Sequence, residues 1–144
     1  MSSKLKLLSW ILLALVGGLT LFASLASVGV AYFAEDDPMG RVMPLSELAG
    51  ERDDVATMLR ARRGTAAAFG AGYGLLFLIL ALVPYRRGDV WAWWAILAST
   101  IVTCSIILLR NPVLGTNLGL GAATIPLAVC VVALLLDVSR IKSS

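Results

Sequence analysis

The stretch RARRGTAAAFGAGYGLLFLILALVPYRR, Arg60 to Arg87, decides the fold. Between its two arginine pairs run 22 residues, Gly64–Tyr85, with no charged side chain. A helix needs about 20 mainly apolar residues to cross ~30 Å of hydrocarbon, so this length matches one crossing with arginines left at both headgroup layers. Three further uncharged windows surround it: Leu7–Ala34, Val90–Leu109 and Asn111–Leu136, of 28, 20 and 26 residues. Lipid offers no partner to backbone N–H and C=O groups, and a helix satisfies them internally. The pattern predicts an all-α integral membrane protein, a four-transmembrane-helix bundle in a single domain. Its spans lie at about 7–33, 64–84, 91–109 and 114–136.

Composition agrees. Of the 144 residues 59% are hydrophobic and 15% charged, with a mean hydropathy of +0.89; a soluble domain carries about 25% charged residues. The first window also admits a second reading, because Lys4 and Lys6, an apolar run and small residues near SVGVA describe a secretory signal peptide. Its apolar run exceeds the 7–15 residues typical of such a segment, which favours a retained first helix; cleavage would leave three spans.

Residues 35–63 form the one long connection and hold seven of the nine acidic residues. A bare loop of that length is unusual. The run PLSELAGERDDVATMLRARRG reads as a short amphipathic helix with Ser46 as N-cap, acids early and arginines late, as the helix dipole favours. Leu45, Leu48, Val55 and Leu59 give it a thin apolar stripe, suited to resting on the bundle or headgroups, or to docking a partner.

The small residues of the second span fall in two rows four apart: Gly64, Ala68, Gly72 and Ala66, Gly70, Gly74. Each row predicts a face where a neighbouring backbone approaches closely, as does Gly115 with Gly119 at the mouth of the fourth span. GAGYG does not match a dinucleotide loop, whose spacing is G-x-G-x-x-G between a strand and a helix. Trp10, Tyr85, Trp91, Trp93 and Trp94, with Arg60, Arg62, Arg63, Arg86 and Arg87, read as interface anchors. Pro112 in LRNP should help stop the third helix, and Pro126 should kink the fourth. Ser99, Thr103 and Cys104 in the third span either bond within the helix layer or, with Pro126, line a groove for a small ligand.

What the sequence lacks narrows the function. It has no histidine, and its two cysteines, Cys104 and Cys130, form no C-x-x-C pair. No ionisable residue sits within a span away from its ends, which argues against a proton-coupled exporter. The missing cysteine pair argues against a quinone-linked thiol oxidoreductase. No catalytic residue, metal site, cofactor or nucleic-acid partner is therefore expected, and the chain does not read as an enzyme.

From RARRG through LVPYRRGDVWAWWAIL the chain resembles small bacterial four-helix membrane proteins of the DoxX-like kind, in which a Gly-rich span ends in Arg-Arg-Gly and Trp-Ala-Trp opens the next. Some relatives of that kind are linked to quinone-dependent respiratory assemblies, and the resemblance transfers no catalytic residue. The expected function is a non-enzymatic accessory or assembly subunit of a larger membrane complex, or a small homo-oligomer. Its partners would be membrane lipid and another membrane protein or itself. The alternative is a binder of an apolar small molecule (a lipid, quinone or isoprenoid) in the groove just described. Basic residues divide six against six between the two sides of four spans. The basic lead at Lys4 and Lys6 tips the orientation to both termini cytoplasmic, in the inner membrane.

Overall fold

A computed structural model describes residues 3–34, 38–39, 43–44, 47, 50, 52–115 and 120–139. Nearly all of these are helical. Helix α1 spans Ser3–Phe33. After it, β1 (Pro38–Met39) and β2 (Met43–Pro44) make a minimal antiparallel ladder, Pro38 opposite Pro44 and Met39 opposite Met43. Helix α2 is Asp53–Leu80 and runs on without interruption into a π turn, Ala81–Tyr85. Helix α3 is Val90–Leu108, α4 the short Arg110–Leu114, and α5 Leu120–Leu136. Three stretches are long and apolar enough to cross a membrane: Lys4–Phe33, Asp53–Tyr85 and Val90–Val113.

The amphipathic segment is not one continuous helix over its described residues: Glu47 is helical, Gly50 turns at φ +56°, and Arg52 is non-helical before the next helix opens. From Asp53 it forms the opening turns of the second membrane helix, whose 33 residues reach ~50 Å at ~1.5 Å per residue, well beyond the hydrocarbon layer. Asp53 and Asp54 occupy its first turn, where the dipole favours acids. Arg52 starts it by accepting N–H bonds from Val55 (3.1 Å) and Ala56 (3.3 Å). The Arg52 guanidinium, 3.0 Å from the Asp54 carboxylate, holds that carboxyl below its ordinary range. The expected N-cap Ser46 and the stripe members Leu45 and Leu48 lie outside the described residues. Val55 and Leu59 are half-buried, so the stripe is real where it is described.

Two prolines shape the helix ends. Pro84 has no N–H to return to Leu80, and there the helix widens by one residue into the π turn, which turns both Pro84 and Tyr85 inward. Gly88, at φ +102°, then breaks the chain toward α3 with a backbone that L side chains rarely adopt. Pro112 does not stop the third helix. It falls in the first turn of α4, where its missing N–H costs little. The stop is Gly115, left-handed at φ +63°, whose N–H closes on the Asn111 carbonyl at 2.9 Å. Gly115 is thus a cap and not a packing residue, since a Cβ there would meet nothing within 4 Å. Its predicted companion Gly119 lies outside the described residues.

The chain divides into two compact units, Met1–Gly18 with Leu75–Ser144, and Leu19–Gly74. In the first, α3 packs chiefly on α5. Leu13, Phe77, Ala81, Tyr85, Ile96, Cys130 and Leu134 are among its core residues. Gly17 admits the Leu78 backbone so closely that a Cβ would sit 2.9 Å from the Leu78 nitrogen. In the second unit α1 and α2 lie antiparallel. A Cβ on Gly74 would sit 2.6 Å from the Leu21 nitrogen, one on Gly70 2.6 Å from Ser24 Oγ, and Gly64 faces the Tyr32 ring.

The two glycine rows are therefore only half used within the chain. Gly64 and Gly74 are buried and Gly70 is half-buried, whereas Ala66, Ala68 and Gly72 are exposed. Four residues advance ~400° round a helix, so a row spaced by four drifts off any one neighbour. The buried positions Ala67, Gly74 and Ala81 are instead seven apart, the repeat that keeps a seam facing a partner helix.

Candidate functional site

The densest polar constellation among the described residues gathers in the first unit, around the last turn of α5. Helix termini leave carbonyls without intrahelical partners. Here the turn tightens: Asp137 N–H bonds to Leu134 O (3.2 Å) and Val138 N–H to Leu135 O (3.3 Å). The Ala133 carbonyl, which would have accepted from Asp137 in a regular helix, is released. Two other helices supply donors to this end. Ser9 of α1 donates its hydroxyl to Ala133 O at 2.7 Å, and the Trp93 indole N–H of α3 reaches Leu134 O at 3.2 Å.

Ser9 also lies 2.6 Å from the Tyr85 hydroxyl. A serine hydroxyl has one proton, and a carbonyl only accepts, so Ser9 spends its proton on Ala133 and Tyr85 must donate to Ser9 Oγ. The chain of bonds runs Tyr85 to Ser9 to Ala133, tying the π turn, α1 and α5 together. Ser9 and Tyr85 have no exposed surface. Above them the Arg86 guanidinium sits 4.9 Å from the Trp10 ring centroid, a cation–π contact.

Asp137 completes this end of the helix with no exposed surface, and it is engaged there. A charged residue directly after an uncharged window would be expected in solvent, and the structure buries Asp137 instead. The uncharged window ends at Leu136, one residue earlier, and hydropathy carries no record of what packs over a helix end.

Three predicted anchors turn into this cluster and not outward. Tyr85 is fully buried, Trp93 is 6% exposed, and Trp10 is half-buried beneath Arg86. Trp91 and Trp94 do face outward, as do Arg62, Arg86 and Arg87. Successive helix residues step ~100°, so WAWW cannot present all its rings to one side. Trp93 turns in and meets Trp94 edge to face at 5.0 Å. Arg63 turns toward α1, its Nε donating to Ser27 Oγ at 3.2 Å; Arg60 is half-buried and also engaged.

Among the described residues, hydroxyls of the third span bond back along their own helix. Ser99 donates to Ile96 O at 3.0 Å, Thr103 to Ser99 O at 2.8 Å, and Ser105 to Ile101 O at 2.9 Å, all along their own helix. Cys104 and Pro126 are half-buried. A groove is present elsewhere, on the outer face of α2, lined by Met58, Ala61, Arg62, Thr65, Ala66 and Phe69. Among the described residues no group of three or more histidine, cysteine or acidic side chains is placed to hold a metal ion.

The sequence reading missed Ser9 and Gly17. A signal was present: Ser9, Leu13, Gly17, Ser24 and Ala31 recur at helical spacing along α1 and are buried or half-buried. The row reads weakly because leucines surround it on all sides. No family model, curated protein or solved structure matches this chain.

Proposed function

We propose that this chain is a small inner-membrane protein that works by packing, as an accessory or assembly subunit of a larger membrane complex or as a small homo-oligomer. The carrying observation is the use made of the buried hydroxyl and indole groups around α5. Tyr85, Ser9 and Trp93 direct their donors at neighbouring helices, so they act as struts. Small residues on the outer face of α2, Ala66, Ala68 and Gly72, are left uncovered by the chain itself. The DoxX-like resemblance points the same way, toward an attachment to a larger assembly.

In this reading α5 is the fourth span. Its 17 residues extend ~26 Å, close to the hydrocarbon thickness. The first helix is retained, because Ser9 and Leu13 belong to the packed interior of the first unit. Both termini face the cytoplasm. Single cysteines placed at Ser2, Ser46 and Ser143, with Cys104 and Cys130 replaced by Ala, test this. Accessibility labelling should reach Ser2 and Ser143 from one face and Ser46 from the other. Labelling of the two termini from opposite faces would rule out an even number of spans.

Partner choice is carried by the acidic connection, since charge complementarity sets register and orientation more than raw affinity. Asp53 and Asp54 stand exposed at its helical end. Purification in mild detergent should bring down a stoichiometric protein. Replacing Asp36, Asp37, Asp53 and Asp54 together with Asn should release it without altering helix content. Raised salt should act likewise, since exposed charges are screened within ~8 Å at physiological ionic strength. Association that survives both treatments would move recognition into the membrane, onto the small-residue face. A bound lipid-like molecule with no protein partner would favour the alternative, a binder of an apolar ligand.

A further inference from the structure

The three arginines that open the second membrane helix are not equivalent. Arg63 points toward α1, where it donates to Ser27, and Arg60 is half-buried and engaged. Arg62 is exposed, and no acidic residue stands three or four positions from it on α2, where Met58, Leu59, Thr65 and Ala66 are found. Its depth is set by the chain. It lies two residues before Gly64, where the uncharged run of 22 residues begins, and such a run fills the hydrocarbon layer. Arg62 therefore sits at the level of lipid phosphates.

Arg62 also forms one rim of an open groove of about 480 Å³. Along α2 the other lining residues are Met58 on the solvent side, then Ala61, Thr65, Ala66 and Phe69 toward the membrane interior. The alanines leave the floor shallow, while Phe69 and Met58, 77% and 57% exposed, stand up as walls. One turn below the guanidinium, the Thr65 hydroxyl adds a polar group at the boundary. Below that the surface is wholly apolar. A cation above an apolar trough, at headgroup depth, matches a molecule with an anionic head and a hydrocarbon tail.

We propose that this groove holds an anionic phospholipid, its phosphate on Arg62 and Thr65 and one acyl chain along Ala66 and Phe69. Guanidinium suits the task because its planar fork gives two parallel bonds to phosphate oxygens. The net negative charge of the lipid balances an arginine that the chain leaves exposed and without an acidic neighbour along its helix. A zwitterionic lipid brings its own cation near the same place and is bound less well.

The test uses the purified full chain, exposed in detergent to equimolar dioleoylphosphatidylglycerol and dioleoylphosphatidylcholine, with retained lipid read by native mass spectrometry. The wild type should retain the phosphatidylglycerol in preference. Arg62→Gln should lower its retention roughly tenfold, the size expected of one charge-assisted contact. Ala66→Leu, which fills the trough at an exposed position and keeps the charge, should lower it as well. Arg87→Gln, at an exposed arginine outside the groove, should leave it unchanged. Equal retention of the two lipids, equal losses for Arg62→Gln and Arg87→Gln, or no effect of Ala66→Leu would each overturn the proposal. So would loss of a co-purifying protein from Arg62→Gln with lipid retention intact, which would make the groove a protein contact.

Discussion

Gly74→Leu should destabilise the protein by ~3 kcal/mol or more, while Gly72→Leu, two residues away, should cost less than ~1 kcal/mol. At Gly74 the α1 backbone is itself the obstacle. A Cβ would stand 2.6 Å from the Leu21 nitrogen and 2.9 Å from its Cα, and neither atom belongs to a side chain that can rotate away. The helices must separate, and in lipid their association rests largely on close packing, because apolar contact alone gives no preference for protein over lipid. At Gly72 a side chain enters open space and faces outward. Gly70→Leu should fall between them, because its obstacle is the Ser24 hydroxyl, the tip of a small side chain. Thermal unfolding in one detergent, followed by circular dichroism, ranks the three variants. Equal melting temperatures for Gly74→Leu and Gly72→Leu would show that this contact does not hold the helices together.

Ser9→Ala should cost more than Tyr85→Phe, although tyrosine is the larger residue. Removing the serine hydroxyl breaks both bonds of the chain at once and takes from the freed, buried Ala133 carbonyl the Ser9 donor that caps it. Removing the tyrosine hydroxyl leaves Ser9 still donating to Ala133. A buried polar group without a partner costs ~1–3 kcal/mol, whereas single interhelical bonds in membranes average ~0.6 kcal/mol. The expected ordering is ~2 kcal/mol for Ser9→Ala against less than ~1 kcal/mol for Tyr85→Phe. The same melts decide it. A larger loss for Tyr85→Phe would mean that the tyrosine hydroxyl, and not Ser9, is the hub of this end of the fold.

The spans were legible in the sequence because length, hydropathy and charge are properties of a continuous segment. The windows at Leu7–Ala34, Gly64–Tyr85 and Val90–Leu109 each fall on a long helix. What tertiary structure alone decided is which side of each helix meets another. Gly72 and Gly74 are the same residue type two positions apart, yet one faces outward and the other admits a backbone. Their difference is ~200° of rotation, which no composition records. Ser9 became a hub only because the tightened last turn of α5 released the Ala133 carbonyl against it, 124 positions along the chain. Tyr85 and Trp93 turn inward because their donors find acceptors there, the Ser9 hydroxyl and the Leu134 carbonyl. Sequence determined how far each apolar helix runs, because that depends on the segment alone. Packing determined which polar and small residues do the joining, because that depends on the neighbour.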